Sequence, residues 1–363
     1  MSFKDKLLDD LVDAYHKARP GKRKSVNENR FETCAIENIV ILRDMIISRK
    51  YEPGNSVAFE IEDPKVREIF AADFADRVVH HYVFAKTMPW WEKRLSYESY
   101  SCRVGKGTLH AQKRLAHHIQ SVSENYQKPT WNLKLDIESY FTSIDKNILL
   151  KLVLDGLKKQ FPNRGELYRT LKYLWTKIIM DDAVSKMIVR GSMDELNRVP
   201  KHKSLRYQPP DIGLVIGNLT SQAASNIYLN QLDRFIQFDL GLKHFVRYVD
   251  DIAIVLNEEQ KGRAKEIIEE IDIFLCNNLH LRLNQRKTYL QEIHKGVEFL
   301  GAVVYPGYIV PGRRLKKNCA KNFKMVSEGR KGVESVAGTL GLFANINGQK
   351  SLEKIFDRNG WDY

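Results

Sequence analysis

Asp250 and Asp251 stand side by side in Arg247-Tyr248-Val249-Asp250-Asp251-Ile252-Ala253-Ile254-Val255. Apolar and β-branched residues lead in and out, which predicts two short strands joined by a turn that carries both carboxylates. Adjacent acids at a hairpin tip repel each other and gain nothing from packing. The arrangement makes sense if a divalent cation sits there, because hard oxygen ligands suit magnesium. Taken alone, the pair is better read as an ordinary acidic turn. A third acid upstream tips the balance. Asp136 closes the run Trp131-Asn132-Leu133-Lys134-Leu135-Asp136. On a strand, Trp131, Leu133 and Leu135 share one face and Asn132, Lys134 and Asp136 the other. Asp136 is therefore expected to emerge at the strand's end, away from the apolar set. A strand-end acid followed by an Asp-Asp hairpin suits two-metal phosphoryl transfer. In that chemistry two cations about 3.5–4 Å apart clamp the attacking and leaving oxygens of an in-line displacement. Asp136 and Asp250 would bridge the ions, and Asp251 would complete the shell.

The elements around these acids are legible in part. Asp5 to Ala18 has helical apolar spacing through Leu7, Leu8, Leu11, Val12 and Tyr15, and Pro20-Gly21-Lys22-Arg23-Lys24 breaks it. A second amphipathic segment, Ala35 to Ser48, stops at Tyr51-Glu52-Pro53-Gly54. Both are expected to be packing helices rather than membrane-surface ones. The polar stretch Arg190 to Asp211, with Pro200, Pro209 and Pro210, reads as a connection within one domain. In Gly213-Leu214-Val215-Ile216-Gly217-Asn218-Leu219-Thr220-Ser221-Gln222, Gly217 allows close backbone approach, and Thr220 or Ser221 is placed to cap the helix that follows.

Composition is consistent with these readings. The 363 residues, 43% of them hydrophobic, can bury a substantial core and form two or three subdomains. The 58 Lys+Arg against 45 Asp+Glu give +13, which favours a polyanionic partner such as nucleic acid, though a merely basic soluble enzyme would look the same. Cys34, Cys102, Cys276 and Cys319 are scattered without Cys-x-x-Cys or metal spacing, as for reduced thiols in a cytoplasmic protein. The N-terminus does not read as a secretory signal, and no apolar run approaches the roughly 18 residues of a membrane span. His80-His81 and His117-His118 lack zinc-site spacing and are expected to be solvated or to face nucleic acid.

Tyr248-x-Asp250-Asp251 and Asp136-x-x-x-x-Phe141 together resemble the palm of reverse transcriptases. The resemblance implies an α+β right-hand polymerase fold with fingers, an antiparallel palm sheet and a short helical thumb. It covers about Lys65 to Gly301. It divides the chain into an N-terminal helical extension (1–60), fingers and palm (61–301) and a basic helical thumb (302–363). It implies two magnesium ions as cofactors and adds Ile137 to the metal-binding set. Lys65-Val66-Arg67 followed by Asp76-Arg77 resembles the fingers motif, so Arg67, and less strongly Lys65, would contact the nucleotide phosphates, while Arg77 would be structural or template-facing. Phe141 would stack beneath the sugar and exclude a 2′-hydroxyl; a core Phe at a strand end is the plainer reading. Lys287, in Leu281-Arg282-Leu283-Asn284-Gln285-Arg286-Lys287, would neutralise or protonate the departing pyrophosphate. Gly296-Val297-Glu298-Phe299-Leu300-Gly301 resembles the primer grip.

Two departures narrow the resemblance. Most reverse transcriptases read Gln-Gly and Ser-Pro where this chain has Ile216-Gly217 and Ser221-Gln222. Ile-Gly-Asn-x-x-Ser-Gln is similar to the enzymes of diversity-generating retroelements, as is Tyr100-Ser101-Cys102-Arg103-Val104-Gly105-Lys106-Gly107-Thr108. That narrower resemblance implies error-prone copying of a template RNA at adenines into cDNA from dNTPs, for diversification of a target gene. It also implies a small RNA-binding accessory protein and a bacterial, archaeal or phage source, and Ile216, Gly217 and Gln222 would line the nucleotide site. From Arg313 to Lys331 eight basic residues, including Arg313, Arg314, Lys316 and Lys317, face one acid, Glu328. A thumb lying along a duplex backbone needs such a face, though a solvated helix would carry it too. Competing readings are a retron, group II intron-like or phage-defence reverse transcriptase of ordinary fidelity, and a silent RNA-binding scaffold. Three clustered acids have no physical reason to persist in the last.

Overall fold

The computed structural model describes residues 2–21, 26–62 and 66–359. Among these, ten strands run in chain order: β1 (Val57–Ile61), β2 (Arg67–Ala71), β3 (Trp131–Asp136), β4 (Ile188–Val189), β5 (Phe245–Tyr248), β6 (Asp251–Leu256), β7 (Tyr289–Glu292), β8 (Val297–Phe299), β9 (Ala302–Tyr305) and β10 (Tyr308–Pro311). Helices make up most of the rest, so the fold is mixed helix and sheet. The chain forms two units, each assembled from separate stretches. One comprises residues 1–96, 138–232 and 274–282, and the other 97–137, 233–273 and 283–363.

In the first unit, helix Phe3–Ala18 starts from Ser2, whose hydroxyl accepts from the Asp5 amide while the Asp5 carboxylate accepts from the Ser2 amide. It buries Leu7, Leu11 and Tyr15 of the stripe read from the sequence, together with Ala14, while Leu8 is half-buried and Val12 exposed. Helix Ala35–Ile47 buries Ile39, Leu42 and Ile46. The sheet runs β2-β1-β4, with β1 antiparallel to β2 and a short parallel pairing to β4. Buried Glu68 of β2 ties down the polar stretch that follows β4: Arg206 Nε donates to it at 2.6 Å, and the Ser204 hydroxyl and Leu205 amide donate as well. That stretch, which includes the short helix Met193–Asn197, thus stays within one unit, as expected.

In the second unit a four-stranded sheet runs β5-β6-β3-β7, every pairing antiparallel. The side of β3 that carries Asn132, Lys134 and Asp136 is covered, a point the alternation left open. Asn132, Lys134 and Asp136 are all buried, because helix Thr108–Val122 and the β8-β9-β10 sheet pack on that side through Ala111, Leu115, Ile119, Val297, Phe299 and Val304. Alternation along a strand says which residues share a face, not whether another layer covers it. The histidine reading is corrected in part: His117 is exposed and His81 half-buried, but His80 and His118 are buried. His80 is buried in helix Phe74–Glu92, and loss of hydration pushes its pKa down to about 3. His118 is buried against Glu98 and His244.

Candidate active site

The hairpin forms, with one correction: only Asp250 lies in its turn, because Asp251 is already the first residue of β6. Tyr248 pairs with Asp251 across β5 and β6, leaving Val249 and Asp250 as a two-residue loop. Val249 has φ 57°, a left-handed conformation that a β-branched residue resists and that glycine ordinarily supplies at the first position of such turns. A buried guanidinium holds it there: Arg247 Nη1 donates to the Val249 carbonyl at 3.0 Å, and Arg247 Nε to Asp233 at 2.6 Å. The amide of Ile137 donates to the Asp250 carbonyl at 3.3 Å, joining the end of β3 to the turn.

Asp136 lies directly opposite Asp251 in the β3–β6 register, so their side chains share one face. The third acid, Asp250, follows from the turn. Crowding by protein atoms, and next the negative charge of Asp136, push the pKa of the Asp250 carboxyl up to about 6. The other two acids have cationic partners. Lys287 Nζ donates to both oxygens of Asp136 at 2.7 Å, Asn284 Nδ2 adds a 3.2 Å bond, and Lys134 pairs with Asp251. Asn284 also caps the short turn Gln285–Lys287, and its amide donates to the Asp136 carbonyl at 2.8 Å, so Lys287 is delivered by a locally fixed loop.

The donor chemistry fits a hard divalent cation: three carboxylates, one of them with no lysine or arginine in ion-pair reach among the described residues. No cluster of three His, Cys, Asp or Glu is preassembled for a metal among those residues. Two lysine ammoniums hold carboxylates that a cation would have to share or take over.

Arg67, Arg77, Phe141, Ile216, Gly217 and Gln222 fall in the first unit. Lys65 lies outside the described residues. Arg67 begins β2 and is exposed. The amide of Phe70, on the same strand, donates to the Ile216 carbonyl at 3.1 Å. Gly217 has φ 126°, and a Cβ there would meet the Phe70 carbonyl at 3.1 Å, so this approach of loop to strand requires glycine. The Leu214 amide donates to the Phe141 carbonyl at 2.7 Å. One loop therefore links Phe141 to the strand bearing Arg67. Phe141 is only half-buried; its neighbour Tyr140 takes the core position, with its hydroxyl donating to the Ser225 carbonyl at 2.7 Å. Arg77 Nε donates to the Ala72 carbonyl, a structural role. The cap expectation is corrected: the helix begins at Leu219, so Thr220 and Ser221 fall in its first turn and the buried Thr220 hydroxyl finds no partner among the described residues. Gln222 is exposed on that turn.

In the second unit, the turn Leu300–Gly301 between β8 and β9 has positive φ at both residues, and Gln112 Nε2 donates to the Leu300 carbonyl at 3.1 Å. Helix Arg313–Ser327 buries Cys319 and packs Leu315 and Phe323 against Phe343 and Leu352, while Arg313, Arg314, Lys317, Lys321 and Lys324 are exposed and Lys316 half-buried. Sequence reasoning missed Lys134, Asp233 and Arg247. For Lys134 and Arg247 the available signal was a charged residue inside an apolar strand pattern; Asp233 lies on helix Leu219–Arg234.

Comparison with known proteins agrees with this geometry. Residues 62–304 match the family model described as reverse transcriptase (RNA-dependent DNA polymerase). The putative COX1/OXI3 intron 2 protein of Saccharomyces cerevisiae is 23% identical over 53% of this chain and 26% of its own length. The nuclear intron maturase 2, mitochondrial, of Arabidopsis thaliana is 22% identical over 84% of this chain and 49% of its own length. The chain thus spans between a quarter and a half of these relatives. With three acids at one end of an antiparallel sheet and a family match over most of its length, the chain belongs to the reverse transcriptases, RNA-directed DNA polymerases of the nucleotidyltransferase class.

Proposed function

We propose that this chain extends a primer 3′-hydroxyl with deoxynucleotides on an RNA template, using the β5-β6-β3-β7 sheet as its palm. The observation that carries the reading is Asp136 opposite Asp251, with Asp250 in the adjoining turn and Lys287 donating to Asp136. Two magnesium ions, held by these acids with Ile137 beside them, would supply Lewis-acid activation of the hydroxyl and charge neutralisation at the phosphates. Lys287, its side chain turning from Asp136, neutralises or protonates the departing pyrophosphate. Arg67 and Lys65 bind the triphosphate, Phe141 sets sugar choice, and Gly217 and Gln222 border the base. The division into an N-terminal extension (1–60), fingers and palm (61–301) and basic thumb (302–363) follows from the same reading. Arg313, Arg314, Lys316 and Lys317 lie along the template–primer backbone.

The finer reading is an error-prone enzyme of a diversity-generating retroelement, cytoplasmic and of bacterial, archaeal or phage origin, working with a small RNA-binding accessory protein. It is supported by Ile216-Gly217 and Ser221-Gln222. An isoleucine side chain offers the nucleotide no hydrogen bond where a glutamine would, and the absence of one such bond lowers selectivity by about five- to thirty-fold. The second reading, an intron-type reverse transcriptase of ordinary fidelity, is favoured by the names of the two relatives. No described helix is long and apolar enough to cross a membrane.

Primer extension on one RNA template, with the cDNA sequenced, tests both levels. Asp250→Asn should reduce extension by orders of magnitude, and near-normal extension would refute the polymerase assignment to this site. Wild-type errors should concentrate at template adenines and fall there in Ile216→Gln. A flat, low error spectrum in both would favour the intron-type reading.

A further inference from the structure

Lys134 lies two residues before Asp136 on β3, opposite Ala253 of β6. Residues opposite one another share a face, so Lys134, Asp136 and Asp251 point the same way, with Asp251 the diagonal neighbour of Lys134. The ammonium pairs with Asp251 and lies 4.7 Å from the centre of the buried Phe299 ring. The Lys134 side chain is 11% exposed and that of Asp251 29%. Among the described residues, Asp251 is the carboxylate in ion-pair reach of this buried cation. If Asp251 turned wholly to another partner, the ammonium would keep only the ring face, which recovers part of its lost hydration. The acids are therefore unequal. Asp136 shares a half-exposed lysine, Asp250 has no lysine or arginine in ion-pair reach among the described residues, and Asp251 is held by a lysine locked into the sheet.

We propose that Lys134 is a built-in counter-ion that competes with divalent cations for Asp251, so that the protein without nucleic acid binds a cation weakly at that acid. The inference rests on the reading of the three acids as metal ligands. Lys134 is a positioning residue in this scheme: it acts through Asp251 and sets how readily that carboxylate is released. The full-length protein, free of nucleic acid and nucleotide, is titrated with Mn2+ and the free ion is followed by electron paramagnetic resonance. Lys134→Met keeps the apolar stem over Phe299 and removes the charge. It should bind Mn2+ roughly tenfold more tightly, or take up an additional ion, the effect of one neighbouring charge. Lys134→Arg, whose fork grips a carboxylate more firmly, should bind Mn2+ more weakly than wild type. A Met variant with the wild-type isotherm, or a weaker one, overturns the proposal. Should that variant not fold, an Arg variant that binds as tightly as wild type overturns it independently. Asp250→Asn separates the two levels. If it too leaves the isotherm unchanged, the metal-ligand reading fails; if it weakens binding while Lys134→Met changes nothing, only the role of Lys134 fails.

Discussion

Arg247 and Asp233 form an ion pair with no solvent exposure on either side chain, and the same guanidinium donates to the carbonyl of strained Val249. A second nitrogen of Arg247 donates to Asp233 at 2.7 Å and to the Ser99 hydroxyl at 3.0 Å, so the group is amply satisfied. Burial of a charge pair is a weak source of stability, but breaking one strands a charge in the interior.

Arg247→Met is accordingly expected to destabilise the protein by about 3–5 kcal/mol in denaturant unfolding. The double variant Arg247→Met, Asp233→Leu should recover much of that stability. Primer extension by the double variant should stay low, because the Val249 turn has lost its donor. Full recovery of both would show that the pair has no role in shaping the hairpin.

Phe141 is half-buried where Tyr140 fills the core. Phe141→Ala should therefore cost little stability and admit ribonucleotides, raising rNTP against dNTP incorporation by an order of magnitude or more. Competition assays on one template give the ratio. Unchanged discrimination would return Phe141 to a packing role.

The helix Arg313–Ser327 turns its apolar side to Phe343 and Leu352 and its basic residues outward. Replacing Arg313, Arg314, Lys316 and Lys317 by glutamine should weaken template–primer binding whatever the sequence. The slope of log affinity against log salt should become shallower by about 0.9 for each phosphate that is no longer neutralised. Binding isotherms across a salt series decide this, and an unaltered slope would remove the helix from the interface.

Asp76 is buried in the first unit, where loss of hydration raises its pKa to about 6 although Tyr51 Oη and the Gly54 amide donate to it. A raised carboxyl pKa stabilises the folded state below the unfolded value of 3.8, and that contribution is lost as pH rises through about 6. Asp76→Asn carries no such dependence. The unfolding free energy of the variant relative to wild type should therefore climb by about 2–3 kcal/mol from pH 4 to pH 7 and level off above. A constant difference across that range would mean that Asp76 titrates normally.

The local features of the site were legible in the order of residues. Two acids between β-branched runs specify a hairpin tip, and strand alternation puts Asp136 at the end of β3 on the face of Lys134. The closeness of Gly217 to a neighbouring backbone also follows from residue type, since only glycine tolerates it. What the alternation could not say is which face water reaches. The side of β3 that reads as polar is buried, because helix Thr108–Val122 and β8 and β9, distant in sequence, pack over it. The same layer turns Lys134 from a surface charge into the partner of Asp251, and burial, with the nearby charges of Arg77 and His81, takes His80 far below its usual pKa. Charge and hydrogen-bonding capacity belong to the residue and can be read one position at a time. Hydration, and therefore which charges must find each other, belongs to the packed layers, and those exist only once distant segments have met.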